Sequence, residues 1–408
     1  MKNYIFILFL CTLQMWGQHS NNNRIDTVKI NSKFLNEVRE VKIVLPYDYD
    51  KSTKSYPIIV VLDDQLIFST MTAIVNHLSA TSRMPESIIV TIPKGKQHRS
   101  YYAPNLYSYS KQRNYNYGNH QEELSAFLEK ELIPILTTKY RTANFRTIVG
   151  FSPSSVFTLD LFCENRKLFQ AYIALASGNI IGDGYTKDKN FIHIIENSLT
   201  SSLSNKTYLY VVSGGRDLIS NPNIKNNIAS FNQKISKGSI SNLSAKGEII
   251  HGEGHTDVLL PGIISAFDLI YPKEQWIVDY VETINKEGNA KENIDAFYNN
   301  LSQQYGFKIY PNMNRLYSMN CIKNIGRRLL KQGRVSEAIE LFQYWVKLYP
   351  HSSNAHAYLG LSLKVAQKFT ESIKSYKKAI EISERESNPE TSKYKESLNE
   401  LKTSINKR

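Results

Sequence analysis

Cysteine is scarce in this chain, with three in 408 residues. Cys11 lies in the first apolar run, which leaves Cys163 and Cys321, far apart and in regions of different character. That excludes a scaffold stapled by disulfides. With no Cys or His at zinc-ligand spacing beside either thiol, no metal site is implied, and no other cofactor is implied either. Both thiols are expected to be free and buried. Basic blocks are also lacking. The net charge is +13, yet the Lys and Arg residues are dispersed and not interleaved with aromatics. Such a balance argues against a nucleic-acid partner and for solubility or weak attraction to anionic surfaces. Long apolar runs are absent too, since Tyr4 to Leu13 falls short of the ~18 residues that a membrane span needs. With Lys2 before it and Gly17-Gln18 after it, this run reads as a signal peptide over residues 1–17. Leu10 is too large for the position before a lipidated Cys11. The chain is therefore expected to be exported, periplasmic or secreted, with no transmembrane span once the signal is removed.

What is present is the composition of a globular protein, 41% apolar and 21% charged, in a chain long enough for two domains. Residues 25–46 alternate apolar and polar and predict antiparallel strands. Tyr56 to Leu62 and Ser87 to Ile92 are continuously apolar, as strands buried on both faces are. Residues 66–80 and Gln121 to Leu136 predict helices. Further strands are expected at 171–176, 207–213 and 246–251. Residues 93–118 predict a long loop rich in tyrosine (Tyr101, Tyr102, Tyr107, Tyr109, Tyr115, Tyr117). This alternation points to an α/β fold around 25–272, a mostly parallel sheet with helices on both faces.

After Pro272 the strand signal ends. A repeat at a spacing of 34 residues appears instead. Ile325-Gly326 matches Leu359-Gly360, Glu337-Ala338-Ile339 matches Glu371-Ser372-Ile373, and Phe342 matches Tyr376. Small and large residues at these places are what paired antiparallel helices of a tetratricopeptide unit require. The expected layout is a helical linker over 276–318, two repeats over 319–386 and a capping helix over 391–405.

The chemistry centres on Val149-Gly150-Phe151-Ser152-Pro153-Ser154, where an apolar strand runs into Gly-x-Ser and then a helix. This is the setting of a nucleophile elbow. Ser152 is the candidate nucleophile, and the alternative is a serine that merely caps the helix. Downstream, Asp217 in Ser-Gly-Gly-Arg-Asp and His255 in His-Gly-Glu-Gly-His complete a Ser–Asp–His order. His251 competes with His255, and Asp257 with Asp217. An oxyanion hole needs donors from two places. The backbone N–H of Asp64 or Gln65, at the exit of strand 58–62, is one. Residue 153 is the usual other, and Pro153 has no N–H. A hydroxyl or N–H from Ser154 or Ser155 is the expected stand-in.

Several segments together resemble the putative esterase family of α/β-hydrolases, which includes enterobactin-type, S-formylglutathione and feruloyl esterases. They are Tyr56-Pro57 with the apolar run to Leu62-Asp63, Phe127-Leu128 through Pro134 with Tyr140-Arg141, Val149 to Ser152, and Gly252-Glu253-Gly254-His255-Thr256. The resemblance spans about 25–272, and a hydrolase joined to tetratricopeptide units is similar to exported esterase-like proteins. It implies that Ser152, His255 and Asp217 are nucleophile, base and acid of a serine carboxylic-ester hydrolase acting on an acylated small molecule or glycan. Pro153, Ser154 and Asp64 depart from the family's usual residues, all at the oxyanion hole. The alternative function is a weak or inactive hydrolase fold used for binding, with a protein partner docked on the helical region.

Overall fold

Residues 56–62 are apolar at every position, so a strand formed from them has two faces to bury. In the computed structural model they form β3 (Tyr56–Leu62), near the middle of an eight-stranded sheet. The structure describes residues 23–407 except 63, 95–97, 104, 109–110, 188, 200–202, 204, 237–239 and 316. The expected signal peptide over 1–17 and Tyr109 lie outside the described residues, as do the side chains of 64–66, 98 and 236. The other strands of the main sheet are β1 (Ile25–Ser32), β2 (Glu37–Val44), β4 (Ile88–Ile92), β5 (Thr142–Phe151), β6 (Ala171–Leu175), β7 (Thr207–Gly214) and β8 (Leu243–Ile250). Their order is β1-β2-β4-β3-β5-β6-β7-β8. β2 is antiparallel to both of its neighbours, and every other pairing is parallel.

Side-chain alternation assigns the two faces. Ile59, Val61, Val149, Ile173 and Tyr210 enter one core, and Ile58, Val60, Ile148, Tyr172 and Leu209 enter the other. Three helices bear on the site: α1 (Asp64–Ala80), α2 (Pro153–Glu164) and α3 (Leu259–Ile270). Ile67 and Met71 of α1 and Ile263 and Phe267 of α3 cover the first face. Val156 and Phe157 of α2, with Leu124 and Phe127 of the helix expected at 121–136, cover the second. Each such side chain contributes about 1.5–3 kcal/mol through burial. No helix among the described residues is long and apolar enough to cross a membrane. Both remaining cysteines are free, Cys321 buried and Cys163 half-buried.

The segment 93–118 is not a simple loop. Leu106–Ser108 pairs with Arg113–Tyr115, and Tyr107 pairs with Gly184, building a four-stranded sheet with Gly184–Thr186 and Lys189–Asn190. Strands of two or three residues carry no readable period, which is why the pattern hides them. Next to this sheet the Tyr185 hydroxyl donates to the buried carboxyl of Asp160 on α2. Burial pushes the Asp160 carboxyl up to about 6, against an opposing effect of the Tyr185 hydrogen bond.

The C-terminal region is all helical. Helices Ile322–Lys331 and Val335–Leu348 pack together, as do Ser353–Val365 and Phe369–Arg385, with Thr391–Asn406 last. The residues matched at the 34-residue spacing meet across each pair. A Cβ on Gly326 would stand 2.4 Å from Cζ of buried Phe342, and one on Gly360 would stand 3.1 Å from the Tyr376 ring. This region shares an apolar core with the first face of the sheet. Tyr305 is the hinge of that seam: its ring centroid lies 6.0 Å from that of Phe145 and 5.4 Å from that of Tyr271. Its hydroxyl donates to the Ile270 carbonyl at 2.7 Å and accepts from Trp276 Nε1 at 3.1 Å.

Two stability measurements check this packing. Gly326→Val drives methyl carbons into the Phe342 ring and is expected to destabilise the protein by about 2 kcal/mol, read as a lower urea midpoint. For Asp160 the folded pKa lies above the unfolded one, so its contribution is fully present below about pH 4 and is lost as pH rises past about 6. Asp160→Asn is therefore expected to stabilise the protein at about pH 8 by up to ~3 kcal/mol and to change little at about pH 4, with Asn still accepting from Tyr185. Equal effects at the two pH values would contradict the assignment.

Candidate active site

β5 delivers the chain into a turn that most residues avoid. Ser152 has φ 51° and ψ −112°, a left-handed backbone that costs a non-glycine residue ~1–3 kcal/mol. The surroundings hold it there. The Ser152 N–H donates to the Leu175 carbonyl at the end of β6, at 2.9 Å. The Ser155 N–H and hydroxyl both donate back to the Ser152 carbonyl, at 3.1 and 2.6 Å. The Ser154 hydroxyl accepts from the Phe151 N–H at 2.9 Å and donates to the Phe151 carbonyl at 3.1 Å. Gly150 lets helix α2 approach, because a Cβ there would stand 2.5 Å from both the Ser154 carbonyl and Thr158 Oγ1.

The Ser152 hydroxyl does not cap α2. It lies 2.9 Å from Nε2 of His255, whose Nδ1 lies 3.0 Å from Oδ2 of Asp217. An ionised carboxylate only accepts, so Nδ1 carries the proton and Nε2 is left to accept from the serine hydroxyl. His251 and Asp257 do not enter this chain of contacts; of the two pairs of competitors, His255 and Asp217 are the ones brought together with Ser152. Asp217 is mostly shielded, with its side chain 17% exposed, and His255 stands open at 47%.

The loops that carry the acid and the imidazole are fastened to each other by backbone. The Arg216 N–H donates to the Glu253 carbonyl at 2.9 Å and the Gly215 N–H to the Ile250 carbonyl at 2.8 Å. This closeness requires Gly214: a Cβ there would stand 2.5 Å from the Gly254 carbonyl oxygen. The Phe151 ring, 5.4 Å from the imidazole centroid to centroid, supports His255 from the elbow side. Phe151 and the Leu175 carbonyl were not anticipated from the sequence. Gly214, inside the Ser-Gly-Gly-Arg-Asp motif, had a readable signal in the paired glycines, whereas a backbone carbonyl has none.

The set of donors that an oxyanion beside Ser152 would need is thin. Pro153 opens α2 at its first turn and offers no N–H. The expected stand-in by hydroxyl is not there, because the Ser154 and Ser155 hydroxyls are both spent on closing the elbow. Asp64 and Gln65 form the first turn of α1, directly after β3, which runs parallel beside β5. First-turn N–H groups have no partner within their own helix. Among the described residues no group of three or more His, Cys, Asp or Glu is arranged to hold a metal ion.

A mixed sheet in this order, with a strained strand-to-helix serine beside its middle strands, defines the α/β-hydrolase fold. The chain belongs to the Putative esterase family, whose model matches residues 32–236. Two solved structures share the fold. An IroE-like serine hydrolase from Shewanella oneidensis is 21% identical, with 78% of this chain and 98% of that one covered at a TM-score of 0.63. An uncharacterised protein from Capnocytophaga ochracea is 15% identical, with 93% of this chain and 100% of that one covered at a TM-score of 0.54. No curated protein matches the chain.

The role of Gly214 can be tested structurally. Gly214→Ala is expected to displace the Glu253–Gly254 backbone and to lengthen the His255–Asp217 contact, at a cost of ~1–3 kcal/mol in stability. A crystal structure of the variant with that contact still at 3.0 Å would contradict the spacing argument.

Proposed function

We propose that this esterase-family protein is an exported serine carboxylic-ester hydrolase, acting on an acylated small molecule or glycan. The observation that carries the reading is His255, which bridges Ser152 and Asp217 through its two ring nitrogens at 2.9 and 3.0 Å. In the proposed reaction Ser152 Oγ attacks the ester carbonyl carbon while His255 Nε2 takes the hydroxyl proton. The tetrahedral intermediate expels the alcohol, which receives that proton from His255. A water molecule then repeats the sequence on the acyl-serine and releases the carboxylic acid. Asp217 holds the imidazole and stabilises its protonated form. The oxyanion is served by the N–H groups of Asp64 and Gln65 at the start of α1. The run over residues 1–17 supports export.

A second reading has its own observation. Pro153 removes one donor, and the neighbouring hydroxyls do not replace it. One missing oxyanion donor lowers kcat by ~10²–10³. The fold would then serve mainly for binding, with a protein partner docked on tetratricopeptide-like helices, a reading supported by the Gly326–Phe342 and Gly360–Tyr376 contacts.

Kinetics on p-nitrophenyl acetate separates the two. Under the first reading the wild type turns over, and Ser152→Ala and His255→Ala each lower kcat/KM by ~10³-fold or more. Activity that survives both substitutions rules the triad out. Pro153→Gly restores an N–H in the same turn and is expected to raise kcat by ~10-fold or more, below the full value of an ideal donor because glycine also loosens the turn. A fall in kcat with an unchanged melting temperature would mean that the proline belongs to a working site.

A further inference from the structure

A second concave site lies away from Ser152. α1 follows β3 and runs for 17 residues, or about 25 Å at ~1.5 Å per residue, away from the edge of the sheet that carries the elbow. At its far end a cavity of about 380 Å³ opens between α1 and the chain that leads into the helical region. His77, Arg83, Trp276, Ile277, Arg315 and Asn320 are among its lining residues.

The chemistry of this lining is one-sided. Every ionisable side chain that lines the cavity, apart from tyrosine, is basic: His77, Arg83 and Arg315. Among the described residues no carboxylate pairs with Arg315. Arg83 reaches Asp268 through Nη2 at 2.5 Å, but its Nε is buried with no hydrogen-bond partner. The backbone is shaped to present this arginine. Ser82 ends α1 in a left-handed conformation, φ 60°, and the Arg83 N–H returns to the Leu78 carbonyl at 2.7 Å. The other wall is apolar. It includes Trp276 and Ile277, and Ile277 is 61% exposed although large and aliphatic. Tyr317 and Met319, on the segment between the lining residues Arg315 and Asn320, are also exposed.

We infer that this cavity at the seam is a binding site for a small anion, a carboxylate or phosphate monoester, that carries an apolar group. The Arg315 guanidinium takes the anion, with Arg83, held by Asp268, beside it in the lining, and the wall around Trp276 and Ile277 takes the apolar group. Planar, forked donors suit such oxyanions better than a point charge does. The site is distinct from Ser152 and does not depend on the reading of that serine as a nucleophile.

The test is isothermal titration calorimetry of the full chain with phenyl phosphate and with inorganic phosphate. Saturable binding of phenyl phosphate is expected, tighter than that of inorganic phosphate, and unchanged in Ser152→Ala. Arg315→Ala is expected to weaken it by ~10-fold or more, with Arg315→Lys between the two, since a hydrogen-bonded charge pair is being removed. Ile277→Glu, at an exposed position, is expected to weaken it by repulsion without lowering the melting temperature. Neither Arg315→Ala nor Ile277→Glu should change p-nitrophenyl acetate hydrolysis. No saturable binding, or equal affinity in a well-folded Arg315→Ala, overturns the proposal. Inorganic phosphate that binds as tightly as phenyl phosphate overturns its apolar half, and loss of binding in Ser152→Ala would move the ligand to the elbow.

Discussion

A single residue held in a backbone conformation it would not choose organises this protein. Ser152 stands at φ 51° because the Leu175 carbonyl holds its N–H, while Ser154 and Ser155 close the turn around the carbonyls of Phe151 and Ser152. The strain is ~1–3 kcal/mol, and the parallel sheet on either side of β5 has ample apolar burial to offset it. The return is positional. The hydroxyl does not cap the helix, and among the described residues its one hydrogen-bond partner is the imidazole of His255.

The cost of that arrangement falls on the donors. Pro153 suits the first helical turn, since its fixed φ matches and an N–H there has no helical acceptor anyway. The same absence empties one of the two places from which an oxyanion is usually served. Closing the elbow with the Ser154 and Ser155 hydroxyls makes the turn rigid and at once removes them as substitutes. Rigidity and donor supply thus compete within four residues. The N–H groups left near Ser152 are backbone ones, those of the opening turn of α1, which the parallel pairing of β3 with β5 brings alongside, and that of Ser154.

Much of this was legible in the residues. Tyr56 to Leu62 announced a doubly buried strand because no position in it is polar. Gly150 and Ser152, followed by Asp217 and His255 in order, announced a tight strand-to-helix turn and the three side chains that the structure brings into contact. The match of Gly326 with Gly360, and of Phe342 with Tyr376, announced helices that touch through a small and a large residue. The small sheet of Leu106–Ser108, Arg113–Tyr115, Gly184–Thr186 and Lys189–Asn190 was not legible, because its strands are shorter than any period and its two halves join through Tyr107 and Gly184, far apart in the sequence. Nor was it legible that Tyr305 would be the residue through which the helical region meets Phe145 and Tyr271 of the sheet domain. Contacts between distant segments leave no local pattern. The expected hydroxyl stand-in failed for a related reason: residue type shows that a hydroxyl exists and says nothing of whether a backbone carbonyl already holds it.

The central claim is that Ser152 is a nucleophile activated by His255. Labelling with a fluorophosphonate, followed by intact mass and peptide mapping, tests it without requiring the natural substrate or fast turnover. The account predicts one adduct per chain, located on Ser152, with labelling greatly slowed in His255→Ala. An unlabelled wild type, or an adduct on a different residue, would contradict it.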